Sequence, residues 1–292
     1  MKLRQHLALA IALPLVAIAA LVASGTSVPV PFFGRDYVLR FLLPSSATDS
    51  DLPQIHGTAD ERAPLVVIDA GHGGRDPGAT GEGAREKDIT LALALKLRDE
   101  LVAQGDVRVA LTREDDQFLS LGQRPDIARQ LGADLFISIH ADSAGEKSAV
   151  SGASIYILSG EASSAAAARF AQRENDADRL NGVSIDGQSQ EVSAILVDLS
   201  QRRAQEQSTL LVDLILREGQ QQYAFVPDMR RAADLVVLRA PDMPSILFES
   251  GFVSNQEDAA RLMSEEGRDS FARMMARAIR VYFARQSSVQ PE

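Results

Sequence analysis

Leu65, Val66, Val67 and Ile68 form an unbroken apolar run that ends at Asp69 and opens into a glycine-rich loop, Ala70-Gly-His-Gly-Gly-Arg-Asp-Pro-Gly78. A short run with no polar alternate reads as a strand buried on both faces, and such a strand needs helices on both sides of its sheet. Residues 107–111, 135–139, 153–158, 235–238 and 246–248 read as further short strands. Between them, residues 88–103 set Ile89, Leu93, Leu97 and Leu101 four apart, the spacing of an amphipathic helix. Residues 119–131 read as a helix stopped by Gly132, and a last helix covers about 267–284. The expected fold is therefore α/β: a single domain with a mixed central sheet of about six strands flanked by helices on both faces.

Residues 1–24 read as a targeting segment. Lys2 and Arg4 supply positive charge, an apolar run covers residues 7–23 broken only by Pro14, and small residues follow. At about 1.5 Å per residue the run falls slightly short of the roughly 30 Å hydrocarbon core of a bilayer. It fits a cleaved signal peptide or a retained membrane anchor, and either puts the folded part outside the cytoplasm, in the periplasm or cell envelope. Residues 25–63, with several prolines and a polar stretch at 45–51, read as a linker. The folded domain is expected at 64–285, with a tail at 286–292.

The net charge of −10 argues against a general nucleic-acid binder, which needs a basic excess. The chain has no cysteine, so any metal site must use His, Asp, Glu or water. Of its 4 histidines, His6 lies in the targeting segment and His56 in the linker. His72 and His140 both follow the C-terminal end of an expected strand, the edge where open α/β sheets bind ligands. The glycines around His72 let the backbone turn sharply. Nothing in that loop supplies the Gly-Lys-Ser/Thr ending of a phosphate cradle. Glu86 opens the first amphipathic helix. Alone it suits the helix dipole; with the two histidines it completes the two-His, one-carboxylate set that catalytic zinc favours.

Five segments occur together: residues 67–78, Arg85-Glu86-Lys87, Leu111-Thr112-Arg113, Ser138-Ile139-His140-Ala141-Asp142 and Phe248-Glu249-Ser250-Gly251-Phe252-Val253-Ser254-Asn255. Their order and spacing resemble the zinc-dependent N-acetylmuramoyl-L-alanine amidases, over about residues 65–283. The resemblance implies hydrolysis of the amide between N-acetylmuramic acid and L-alanine in peptidoglycan. His72, Glu86 and His140 match zinc ligands, and Glu249 matches the catalytic glutamate. A carboxylate beside the metal takes a proton from water and passes it to the leaving amine. The other reading of Glu249 is a buried acid that caps a nearby helix. Asp76 and Asp142 either orient the histidines or serve turns. Arg113 either holds a stem-peptide carboxylate or pairs with an acid of the fold.

Residues 174–204 resemble the regulatory insert of the cell-division amidases, in which a helix covers the metal site until an activator protein withdraws it. Glu174 matches the glutamate that fills the open metal position there. Val192, Ile195, Leu196 and Leu199 fall at helical spacing with Ser189 as a candidate N-cap, so a helix at 189–201 is the expected activator-binding element. The other reading is an ordinary core helix with surface acids. The resemblance does not extend to a separate N-terminal wall-targeting domain. Two rivals stand beside the amidase: another zinc peptidase acting on wall stem peptides, and a non-catalytic wall-binding regulator. The regulator would be marked by loss of His72, Glu86, His140 or Glu249, and all four are present.

Overall fold

Apolar runs that end in polar residues become the middle strands of one sheet. The computed structural model describes residues 52–145, 149–181, 194–220, 222–240 and 242–289. The expected targeting segment, including the anchor at 7–23, and the candidate cap Ser189 lie outside these residues. Among the described residues no helix is long and apolar enough to cross a membrane.

The main sheet has seven strands: β1 (His56–Gly57), β2 (Leu65–Ala70), β5 (Arg108–Leu111), β6 (Leu135–Asp142), β7 (Ala153–Leu158), β8 (Phe225–Ala233) and β9 (Ser245–Phe252). A two-stranded ribbon, β3 (Thr80–Gly81) and β4 (Ala84–Arg85), lies outside it. The order is β1-β5-β2-β6-β9-β7-β8. Strands β5, β2, β6 and β9 run parallel, β1 and β7 pair antiparallel to their neighbours β5 and β9, and β8 follows β7 in parallel. The sheet is thus mixed, as expected, and all of β2, β6 and β9 is buried.

Each face is covered. Helices α1 (Glu86–Gln104), α5 (Ala194–Gly219) and α7 (Glu265–Val289) pack on one side over Val66, Ile68, Ile137, Ile139, Ile246 and Phe248. Leu93, Leu97 and Leu101 of α1 are fully buried, each contributing about 1.5–3 kcal/mol of transfer free energy. Helices α2 (Gln123–Gln130) and α3 (Ala165–Asn175) cover the other face over Val67, Phe136, Tyr156 and Leu247. The one-turn α4 (Ala177–Leu180) follows α3, and α6 (Gln256–Met263) precedes α7.

Three expectations change. Residues 235–238 are not a strand: Val236–Leu238 is a 3-10 turn whose apolar side chains fill the α2–α3 face. The strand is β8 just before it, an edge strand carrying Pro227, Asp228, Arg230 and Arg231, whose polar sequence hides its pairing. The expected linker contributes β1, which pairs with β5 at the sheet edge. The last helix continues through Val289, into the expected tail.

Candidate metal centre

The site forms at the C-terminal ends of β2, β6 and β9. Strand β2 stops at Ala70, and the chain turns with His72 in the left-handed region at φ 60°. A non-glycine residue held there costs about 1–3 kcal/mol and persists only when its surroundings fix it. Two neighbours show why this loop needs glycine. A Cβ on Gly71 would lie 2.6 Å from the His140 ring, and one on Gly78 would lie 2.6 Å from both Glu86 Oε2 and the His72 ring. The Asp76 carboxylate lies 2.9 Å from His72 Nδ1 and also accepts the Gly78 N–H. With the ring proton on Nδ1, that contact would leave the Nε2 lone pair for the pocket.

His140 lies on β6 and Glu249 on β9, and the two are register partners on adjacent parallel strands. The alternation of each strand points both side chains to the same face. Glu86, the first residue of α1, reaches between the imidazoles. Its Oε2 is 3.1 Å from His72 Nε2 and its Oε1 3.0 Å from His140 Nδ1. The N–H groups of Ala79 and Ala141 donate to the same two oxygens at 2.7 and 2.9 Å. Glu174, from α3, also comes close: its Oε2 is 3.7 Å from His72 Nε2 and 3.6 Å from His140 Nδ1. Glu249 is 1% exposed, and among the described residues neither of its oxygens has a hydrogen-bond partner.

Burial pushes the Glu249 carboxyl well above the usual carboxylate range, and the charges of Asp142, Glu86 and Glu174 push it further. Burial alone would pull His72 down, but Glu86 and Asp76 outweigh it and hold the imidazole well above its usual value. Burial raises Glu86, yet the two histidines beside it carry it well below. Burial raises Asp142 to about 6, against the pull of the Arg173 guanidinium. The cluster is thus a pocket of buried acids that favours positive charge at its centre.

Donor atoms of His72, His140 and Glu174 all lie within 4.8 Å of one another, and Glu86 spans both imidazoles. His72 Nε2 is buried and, Glu86 Oε2 at 3.1 Å aside, has no polar partner in hydrogen-bond range among the described residues. Two nitrogens and carboxylate oxygens, with no sulfur, suit a divalent ion such as zinc, and the excess of negative charge matches one.

The family model described as N-acetylmuramoyl-L-alanine amidase matches residues 66–281. The chain belongs to that family. An amidase called AmiC from Neisseria meningitidis is 37% identical over 79% of this chain and 55% of its own length. AmiA of Escherichia coli is 34% identical over 91% of this chain and 89% of its own. The chain therefore spans about half of the AmiC relative and most of AmiA. Among solved structures, the amidase AmiC2 of Nostoc punctiforme superposes with a TM-score of 0.55 at 30% identity, covering 76% of this chain and 98% of that one. The CwlD amidase from Clostridioides difficile, solved in complex with the GerS lipoprotein, superposes at 0.54 with 25% identity, over 76% and 98%.

Within this amidase fold the structure gathers His72, Glu86, His140, Glu174 and Glu249, with Asp76 behind His72. Two other residues take different places. Asp142 touches neither histidine; its Oδ1 accepts from Arg173 at 2.6 Å and from the Ser143 N–H. Arg113 is 1% exposed, and among the described residues its hydrogen bonds go to carbonyls and a hydroxyl rather than to a carboxylate. It donates to the carbonyls of Ala70, Gly71, Lys87 and Asp115 and to Thr90 Oγ1. Sequence reasoning missed Arg124, Asp69 and Arg173. Asp69 carried a signal: a carboxylate closing a run of buried apolar residues must find a partner. Arg173 carried another, as the neighbour of Glu174 on one helix. Arg124 gave none beyond its charge.

Proposed function

We propose that this chain is a zinc-dependent N-acetylmuramoyl-L-alanine amidase, exported to the cell envelope, that hydrolyses the amide between N-acetylmuramic acid and L-alanine in peptidoglycan. One observation carries the reading: His72, Glu86 and His140 converge beside a buried, unpartnered Glu249. Zinc held by His72, Glu86 and His140 would supply Lewis acidity toward the scissile carbonyl. Asp76 holds His72 in the tautomer that presents Nε2. Glu249 takes a proton from the attacking water at one carboxylate oxygen and delivers it to the departing L-alanine nitrogen. Its burial raises its proton affinity toward that of a working general base.

Glu174 is read as the residue that closes the site. A metal ion with four protein ligands has no open position for water or substrate, and Glu174 lies where a fourth ligand would act. A partner that favours the withdrawn position of Glu174 would open the site. The helix expected at 189–201 is the proposed contact for such an activator. The described part of it is the start of α5 at Ala194; the side chains of Ile195, Leu196 and Leu199 and all of Val192 lie outside the described residues. Helix α3 is packed through Ala167, Phe170 and Ala171, with Phe170 stacked on Tyr156 at 4.4 Å. Opening is therefore local to the last turn of α3, from Arg173 onward.

The test is digestion of purified sacculi with Glu174 replaced by Ala, with and without a chelator, followed by mass analysis. Release of whole stem peptides with a free L-alanine amine, lost with chelator and restored by zinc, is expected. Removal of one terminal residue at a time points to the rival stem peptidase. Activity untouched by chelation removes the metal from the reading.

A further inference from the structure

Three consecutive carbonyls, those of Ala70, Gly71 and His72, turn inward onto two buried guanidinium groups. Arg113 donates its Nε to Ala70 O at 2.8 Å and its Nη2 to Gly71 O at 2.9 Å. Arg124 donates its Nη1 to Ala70 O and its Nη2 to His72 O, both at 2.9 Å. Arg124 is 3% exposed, and its remaining contacts are the Leu119 carbonyl and Asp69 Oδ1. Asp69 is fully buried, and Thr112 and Ser138 donate their hydroxyls to it.

This arrangement is expensive by design of its charges. Two like charges are buried side by side, and the carboxylate in direct contact is one, Asp69, which ion-pairs with Arg124. Water or a neutral amide could satisfy loop carbonyls without burying a cation. A guanidinium adds a rigid planar fork, which fixes several acceptors at set angles in a way that a single-point donor does not. The acceptors here are the backbone of the residue at φ 60° and of the two before it. Those torsions decide where the His72 ring lies relative to His140 and Glu86.

We propose that Arg124, with Arg113 beside it, is a positioning residue for the metal centre: it locks the left-handed His72 backbone so that Nε2 faces His140 and Glu86 before an ion arrives. This rests on the metal reading of the site given above. It goes beyond that reading in placing part of the metal affinity on two residues that touch neither ion nor substrate. The pocket is held from behind, through the main chain, while Asp76 holds the His72 ring from the side.

The experiment is zinc binding to purified, zinc-free full-length protein, measured by competition with a chromogenic chelator at a temperature where circular dichroism shows the protein folded. In Arg124→Lys one nitrogen replaces the two-nitrogen fork that reaches Ala70 O, His72 O, Leu119 O and Asp69 Oδ1, so the fixed spacing of those contacts is lost. Zinc affinity is expected to fall about 10–100-fold, the range for losing a group that orients a ligand. Thr112→Val removes one bond to Asp69 and none to the loop carbonyls. It is expected to lower the thermal midpoint while zinc affinity stays within about twofold of the parent. Zinc affinity in folded Arg124→Lys equal to the parent overturns the proposal, as does an equal loss of affinity in Thr112→Val. Should Arg124→Lys fail to fold, Arg124→Gln and Arg113→Lys are read in the same way. If all three unfold, the arginines serve the fold alone and the proposal is wrong. A parent protein that binds no zinc overturns the metal reading itself, a distinct result.

Discussion

His72 and Glu174 reach one cluster of metal-ligating atoms, and the two walls that carry them are built differently. The His72 wall is a short loop tied from behind by Arg113 and Arg124, at 1% and 3% exposure, and from the side by Asp76. Its groups are linked through several mutually dependent bonds in a dry interior, where losing one strands the others. The Glu174 wall is the last turn of α3. Its carboxylate is steadied by Arg173, whose side chain is 51% exposed and whose two bonds to Glu174 Oε1 are both 3.3 Å long. One wall is over-determined and the other hangs on a half-solvated ion pair. The contrast supports the proposal that His72 is a permanent ligand and Glu174 a removable one.

The largest effect belongs to the rigid side of the pocket. Glu249→Gln keeps the shape of the side chain and removes its ability to carry a proton. Turnover on sacculi is expected to fall roughly 10²–10⁴-fold with zinc content unchanged. Near-parental turnover would make Glu249 the buried helix-capping acid of the alternative reading, although no such bond exists among the described residues.

A smaller effect, of opposite sign, belongs to the removable side. Glu174→Ala is expected to raise basal activity without a partner, by roughly 5–150-fold if closure is coupled to the site as strongly as effector sites commonly are. Zinc content and thermal midpoint are to be measured together with activity. Flat activity with both intact would mean that the two walls differ in construction but not in purpose.

How much of this was readable beforehand follows the same division. Strands β2, β6 and β9 were legible because each is a run of apolar residues buried on both faces. The candidate metal-facing histidines were legible because the chain has so few imidazoles and two of them, His72 and His140, stand at the ends of such strands; His56, read as part of a linker, lies in edge strand β1. The supporting residues were not. Arg113 stood in a recognisable motif, but a guanidinium that binds backbone carbonyls leaves no trace in sequence, since every residue has a carbonyl. For Asp142 the sequence left two readings open, orienting a histidine or serving a turn. Asp142 is two residues from His140, and strand alternation alone would leave the two on one face; the register shift between them intervenes, and Asp142 accepts from Arg173 and from the Ser143 N–H. Edge strand β8 was hidden by its polarity, and the buried 3-10 turn beside it imitated a strand.

The smallest effect tests the link that holds the removable wall. Arg173 joins two structural elements: its Nη2 donates to Asp142 Oδ1 on β6 at 2.6 Å and also to Glu174 on α3. If the ion pair steadies the closed position, Arg173→Ala loosens Glu174 without touching the histidines. A half-exposed pair contributes about 0.2–1 kcal/mol after solvent screening, so basal activity is expected to rise by no more than about fivefold. Asp142→Asn, which keeps the shape of the partner and weakens the same pair, is expected to rise by less. The informative comparison is epistatic. In a Glu174→Ala background there is no carboxylate left to steady, so adding Arg173→Ala should change basal activity by less than the error of the assay. A further rise in that background would show that Arg173 acts on the catalytic side, through the charge it shares with Glu249, and not as the tether of Glu174. No rise in either background would leave Glu174 held by the packing of Phe170 and Ala171 alone, and the weak wall would be stronger than its visible bonds.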